Sequence, residues 1–282
     1  MSVRSPAWRG LMSGAVITLS ASFDASAYTQ TTTHEDGTPI EWPQRCLTWR
    51  LNELGSDDVD MTTLQETLIL ATEAWNQVSC SDLAFLYDGL TARSETGFNA
   101  SGANANVAVF REEPGSWIHS TSAIALATTT YCLDPEGTSS ACPFHGALVD
   151  VDIEFNGVNY TFFTGDQSSS GAMDLQSTAA HEFGHFLGLA HSTEPEATMH
   201  DTQEPGETHK RDLHQDDIDG ICAIYPASTA GGDACANQAP AGDFTDIEAP
   251  VNQGLCGQSG GTGSVVGVLA LMGLMRRRRA PR

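Results

Sequence analysis

Positive charge is what this chain has least of. Only 13 Lys and Arg stand against 36 Asp and Glu in 282 residues, a formal net charge of −23. A surface of that sign repels phosphate backbones and anionic membranes, so no nucleic-acid partner is expected. The few cations are also crowded to the ends: Arg4, Arg9, Arg276, Arg277, Arg278, Arg279 and Arg282 account for seven of the 13. Between the ends six basic residues face 35 acids once Asp24 is set aside. Such an exterior keeps an exported protein soluble; a preference for basic substrates is the alternative. Internal repeats are lacking, and so is an apolar run of the roughly 20 residues that a full membrane span needs. Global disorder is excluded in turn, because 40 % hydrophobic residues is ordinary for a globular chain.

What is present at the ends reads as targeting. Arg4 and Arg9 precede an apolar run from Gly10 to Leu19, and Ala25-Ser26-Ala27 is a small-x-small cleavage pattern ahead of Tyr28. Residues 1–27 are therefore expected to be a secretory signal peptide, with a buried N-terminal helix as the alternative. Past Pro226 the composition turns to Ala, Gly, Ser, Asn and Gln, as in spacers, over 227–259. From 260 to 282 a short apolar stretch, Val265 to Met275, is followed at once by Arg276 to Arg279. The arginines would hold that end cytoplasmic and the rest outside, so a short transmembrane helix, marginal against the roughly 20 residues of a full span, and transient membrane anchoring through the tail are the expectation. Cys256-Gly257, the short apolar stretch and the arginine run together resemble the MYXO-CTERM class of bacterial sorting tails. That resemblance implies removal near Cys256 and a secreted or cell-surface bacterial protein.

Seven cysteines, at 46, 80, 132, 142, 222, 235 and 256, suggest disulfides in an exported chain, and six of them allow many connectivities. The pairs favoured are Cys46 with Cys80, Cys132 with Cys142, and Cys222 with Cys235.

Between the ends, residues 28–226 read as one domain. Cys46 to Arg50 is a strand, and Asp60 to Ser79 a helix whose Met61, Leu64, Leu68, Ala71, Trp75 and Val78 step by three and four, a stripe that should lie on a sheet. Strands are expected at Leu83 to Tyr87, Asn106 to Phe110, Ala123 to Tyr131 and Ala147 to Phe155, between loops rich in Gly, Ser, Asn and Pro. Asp174 is placed to cap a helix over Leu175 to Leu187 that Gly188 stops, and a last helix covers Gln215 to Tyr225 before Pro226.

Residues 181 to 191 read His-Glu-Phe-Gly-His-Phe-Leu-Gly-Leu-Ala-His. On a helix His181 and His185 project from one face, close enough to bind one metal ion. Glu182, beside the first of them, can take a proton from a water at the metal without ligating it. Gly188 lets the chain leave the helix and turn back, so that His191 supplies a third nitrogen. Three protein ligands leave the fourth position open, as in catalytic zinc sites. An ordinary helix with surface or core histidines explains neither the glycine nor the third histidine in register.

That string resembles the metzincin consensus, and its neighbours resemble the matrixin branch: His191-Ser192, then Ala197-Thr198-Met199, then Leu213 to Tyr225, with Ala74 to Val78 resembling the end of a matrixin first helix. The resemblance implies an α/β (α+β) zincin-like catalytic domain, a twisted five-stranded mixed sheet with three helices. It further implies one catalytic Zn2+ and a protein or peptide substrate. Ala123 to Tyr131 would be the antiparallel edge strand along which an extended peptide pairs, and Met199 a floor under the imidazoles. A segment without a tyrosine two residues past that methionine departs from the astacin-like pattern.

Other departures concern matrixins themselves. The family usually adds further structural metal ions, yet the fourth-strand candidate has no histidine. Asp150, Asp152 and Glu154 alternate on one strand face with His145 nearby, which leaves a Ca2+ site or an acidic solvent-facing edge open. A cysteine-bearing latency segment is missing, and Cys46 is better read as a disulfide partner. The function expected is zinc-dependent endopeptidase, acting as a monomer, with a catalytically silent zinc-containing surface module as the alternative. His200, His209 and His214 carry no assignment.

Overall fold

A computed structural model describes residues 27–99, 102, 104–139, 142–166, 171–228, 235 and 267–273. Apart from Ala27, the signal-peptide segment lies outside the described residues, as do most of the 227–259 spacer and the tail on either side of 267–273. In chain order the elements are β1 (Thr29–Gln30), β2 (Cys46–Asn52), α1 (Met61–Asn76), β3 (Ala84–Thr91), β4 (Val107–Phe110), β5 (Ala123–Tyr131), β6 (Leu148–Phe155), β7 (Phe162–Phe163), β8 (Met173–Asp174), α2 (Leu175–Phe186), β9 (Leu189–Ala190) and β10 (Thr202–Gln203). A 3-10 turn at His209–Arg211, α3 (Gln215–Ile224) and β11 (Gly267–Gly273) complete the order.

Five strands form the mixed sheet, in the order β5-β6-β4-β2-β3. β2 runs parallel to β3 and β4, β4 runs parallel to β6, and β5 alone is antiparallel to its neighbour β6. With three helices this is the α/β architecture expected from the sequence. Two further strands extend the sheet beyond β5: β11 lies antiparallel to β5, and β10 parallel to β11. The described part of the apolar tail is thus an extended strand. Among the described residues no helix is long and apolar enough to cross a membrane.

α1 starts where Asp60 accepts from the N–H groups of Thr62 and Thr63, both at 3.1 Å, satisfying donors that the first turn leaves without partners. It buries Leu64, Leu68, Ala71 and Trp75 completely. The helix stops at Asn76 rather than Ser79 because the Asn76 amide leaves the helix surface for β3: it accepts from Phe85 N–H (2.7 Å) and donates to Phe85 O (3.2 Å). Trp75 Nε1 donates to Ala180 O at 3.0 Å, locking α1 to α2. α2 is fixed to the sheet by aromatic contacts. Phe183 meets Trp49 and Phe85 at ring-centroid distances of 5.0 and 5.1 Å, and Phe186 meets Phe85 at 5.2 Å and Trp42 at 5.4 Å. Each buried ring of this kind contributes about 2–3 kcal/mol by transfer from water. The result is a rigid seat for the helix carrying the histidines.

The disulfides correct the sequence reading in part. Cys132–Cys142 forms as expected, but Cys46 pairs with Cys235 and Cys80 with Cys222. Proximity in sequence misled because the chain after α3 folds back over the end of α1. Ala227 N–H donates to Cys80 O (2.8 Å) and Ser81 bridges Pro226, which sets Cys222 beside Cys80. The chain then carries Cys235 to the start of β2, where its sulfur lies 3.6 Å from Ala84 O, and Ala84 is the register partner of Cys46.

Candidate metal centre

Three buried or half-buried imidazoles converge between α2 and the segment that follows it. α2 is capped by Asp174, which accepts from Ser177 N–H (2.8 Å), and Asp174 is itself gripped by Arg211, with Nε at 2.9 Å and Nη2 at 2.5 Å. His181 and His185, four residues apart, share one helix face and are fully buried. Leu187 caps the helix, and Gly188 turns the chain away at φ +89°. That left-handed conformation favours glycine, and a Cβ there would also meet Ile40 O at 2.7 Å. The short strand β9, paired with β1, then delivers His191. One ring nitrogen from each histidine lies within 4.8 Å of the others, the only such cluster of potential ligands among the described residues.

The hydrogen bonds fix which nitrogens are available. His181 Nδ1–H donates to Thr198 O at 2.7 Å and His185 Nδ1–H to Leu189 O at 2.8 Å. A carbonyl can only accept, so both rings carry their proton on Nδ1 and direct an Nε2 lone pair inward. The Nε2 atoms of His181, His185 and His191 are buried with no hydrogen-bond partner among the described residues. Burial holds all three imidazoles below their ordinary pKa, His185 to about 3, with repulsion among the three rings adding to the shift for His181 and His185. Neutral rings with convergent lone pairs fit zinc, which binds imidazole nitrogen at about 2.0–2.1 Å. Glu182, next along the helix, is fully buried as well.

Beneath the helix lies the turn through Ala197, Thr198 and Met199. It is closed by Ala197 N–H to Glu194 O and His200 N–H to Ala197 O, both 3.1 Å, and Ser192 N–H reaches Met199 O at 2.9 Å. Met199 is buried where a Cβ on Gly184 would collide with its Sδ and with Trp75 Cζ2. Gly184 therefore admits the methionine under the helix. Sequence reasoning passed over Gly184, because a small residue inside a helix signals close approach only once the partner is known. Asp217 was also missed. In the first turn of α3 it accepts from Thr198 N–H (2.8 Å), Met199 N–H (3.0 Å) and His214 N–H (2.9 Å), fastening the methionine turn and with it the acceptor of His181. Lys210, another residue without a sequence signal, is buried with Nζ on His200 O (2.6 Å) and Thr202 O (2.5 Å), and burial pulls its pKa down to about 8.

The remaining candidates lie outside the triad. His200 bonds Thr202 Oγ1, His209 pairs with Glu207, and His214 caps α3. On β6, Asp152 accepts from Gly97 and Val107 N–H and Glu154 pairs with Arg111 and His119, while Asp150 Oδ2 meets no donor among the described residues. All three carboxylates are buried, so the face they share is not the solvent-facing edge that the sequence left open. His145 is engaged elsewhere, by Asp134 N–H and Asp36.

A mixed sheet behind a helix that carries two histidines, with a third beyond a glycine turn and a methionine turn below, defines a zincin-type metallopeptidase domain. The chain belongs to the matrixin family of peptidases, whose profile matches residues 41–226. Among its relatives, human neutrophil collagenase is 52 % identical over 62 residues, 22 % of this chain and 13 % of that protein. Metalloendoproteinase 1 of Glycine max is 43 % identical over 82 residues, 28 % of this chain and 27 % of that protein. Human matrix metalloproteinase-20 is 27 % identical over 187 residues, 66 % of this chain and 32 % of that protein. The chain thus spans a third or less of the length of these relatives.

Proposed function

We propose that this protein is an exported zinc-dependent endopeptidase in which His181, His185 and His191 hold the metal and Glu182 is the general base. The observation that carries the reading is the convergence of three buried Nε2 atoms without hydrogen-bond partners among the described residues, two of them on rings whose Nδ1 protons are held by carbonyls. Zinc at that point supplies Lewis acidity, polarising a scissile carbonyl and making water easier to deprotonate. Glu182 accepts the proton of the attacking water and passes it to the departing amine nitrogen. The backbone of β5 aligns an extended substrate by strand pairing. Three disulfides support maturation in an oxidising compartment, in keeping with the expected signal peptide.

The test is bound zinc together with casein hydrolysis in purified wild type, Glu182→Gln and His185→Ala. About one zinc per chain is expected in wild type and Glu182→Gln, activity only in wild type, and loss of both in His185→Ala. Substantial turnover by Glu182→Gln would refute the assigned base. Zinc without turnover in wild type, with the tail removed, would favour a surface binding module instead.

A further inference from the structure

We propose that the protein's own C-terminal segment, Gly267–Gly273, occupies the peptide-binding groove of the same molecule and blocks it until the tail is removed. The inference rests on the peptidase reading above for what the groove is for. Its own support is the strand pairing.

β5 is the edge of the five-stranded sheet, and an edge strand offers a row of N–H and C=O groups to any extended chain. β11 takes that row. It runs antiparallel to β5 in continuous register from Gly267 opposite Thr129 to Leu271 opposite Ala125, and after a shift sets Met272 opposite Ala123. At the shift the same strand gains a second neighbour. Met272 and Gly273 pair in parallel with Thr202 and Gln203 of β10, which follows closely on Met199. β11 also contacts α2, the helix bearing His181 and His185. A segment flanked by β5, α2 and β10 lies where an extended substrate must lie, and two chains cannot share one hydrogen-bonding edge.

The tether permits this. Cys235 is bonded to Cys46 at the start of β2, and the 32 residues from there to Gly267 have a contour length on the order of 100 Å, enough to round a domain of this size. An occupant on such a tether experiences an effective concentration on the order of a millimolar, so weak pairing suffices to exclude dilute substrates. Cleavage near Cys256, the processing that the tail's sequence suggests, would detach the occupant and open the groove.

The experiment compares the chain from Tyr28 to Arg282 with one ending at Gly260, both retaining Cys235. A full-length Leu269→Pro/Ala270→Pro variant is the control, since one of two successive amides in a strand faces β5 and proline removes it. Hydrogen exchange over 123–131 is read alongside casein hydrolysis. Expected are β5 amides protected only in the unmodified full chain, and hydrolysis at least about tenfold faster in the truncated and double-proline forms, as expected for displacing a tethered occupant. Equal exchange in all three forms overturns the proposal whatever their activity. Tail-dependent protection with no hydrolysis by any form keeps the tail in the groove and refutes the peptidase reading. Protection that disappears on dilution assigns the occupant to a second copy and overturns the intramolecular claim.

Discussion

Gly184 and Met199 make room for each other: the methionine Sδ sits where any side chain at 184 would begin. Gly184→Ala gains about 1 kcal/mol of helix propensity. Against that, the new methyl must displace a fully packed methionine and press on Trp75, and overpacking of this kind costs about 1–3 kcal/mol. The collision should win. The melting temperature of the apo form is expected to fall in Gly184→Ala, and the same substitution is expected to cost less, or nothing, in a Met199→Ala background. A double-mutant cycle without coupling would show that the two residues are independent.

Asp217 reaches the metal site through two bonds rather than one. Its carboxylate fixes Thr198 and Met199 by their amides, and Thr198 O orients His181. Burial raises its pKa while the three amide donors oppose the rise. Asp217→Asn retains the shape but offers a single acceptor oxygen to donors spread over two. Loss of such an outer partner typically weakens metal binding about 10–100-fold. Competition with a zinc chelator should show that shift with the far-UV spectrum unchanged. Unaltered zinc affinity would reduce Asp217 to a helix-capping role.

The Cys46–Cys235 bond closes a separation of 189 residues, and Cys235 lies beyond the 28–226 stretch that sequence patterning marks as one domain. In the chain-entropy account a loop of that length contributes about 5 kcal/mol. A chain ending at Pro226 should therefore unfold at a clearly lower temperature than one ending just after Cys235, and should show a free thiol at Cys46. Peptide mapping without reduction provides the direct check. A Cys46–Cys80 peptide would contradict the fold-back of the chain after α3.

Legibility followed the range of the interactions involved. α2 was readable because Asp174, the spacing of four between His181 and His185, and Gly188 are all local signals with a helical period. β5 was readable because an unbroken apolar and β-branched run between polar turns permits little else. The two-residue strands β1, β7, β8, β9 and β10 have no period of their own and exist because partners distant in sequence arrive beside them. Gly184 and Asp217 went unread for the same reason, since their meaning lies in Met199 and Thr198. The tail's apolar run and arginines read as a short anchor, and the sequence carried no signal of strand pairing, whereas the described part, Gly267–Gly273, is an extended strand.

Asp150 gives the protein a pH dependence of definite sign. Burial first, then the neighbouring Asp152, pushes its pKa up to about 8, and Asp152 is raised by burial too. A carboxyl in the unfolded chain titrates near 3.9. Between that value and about 8 the native state holds a proton that the unfolded state has released, so stability falls as pH rises across this window. Below it both states are protonated and the effect is gone. Asp150→Asn mimics the protonated acid at every pH. The melting temperature of the variant should match wild type near pH 4, exceed it increasingly toward pH 8, and show a flatter slope throughout. Equal slopes in the two proteins would mean that Asp150 is ionised in the fold at neutral pH, with a cation such as Arg93 compensating its charge.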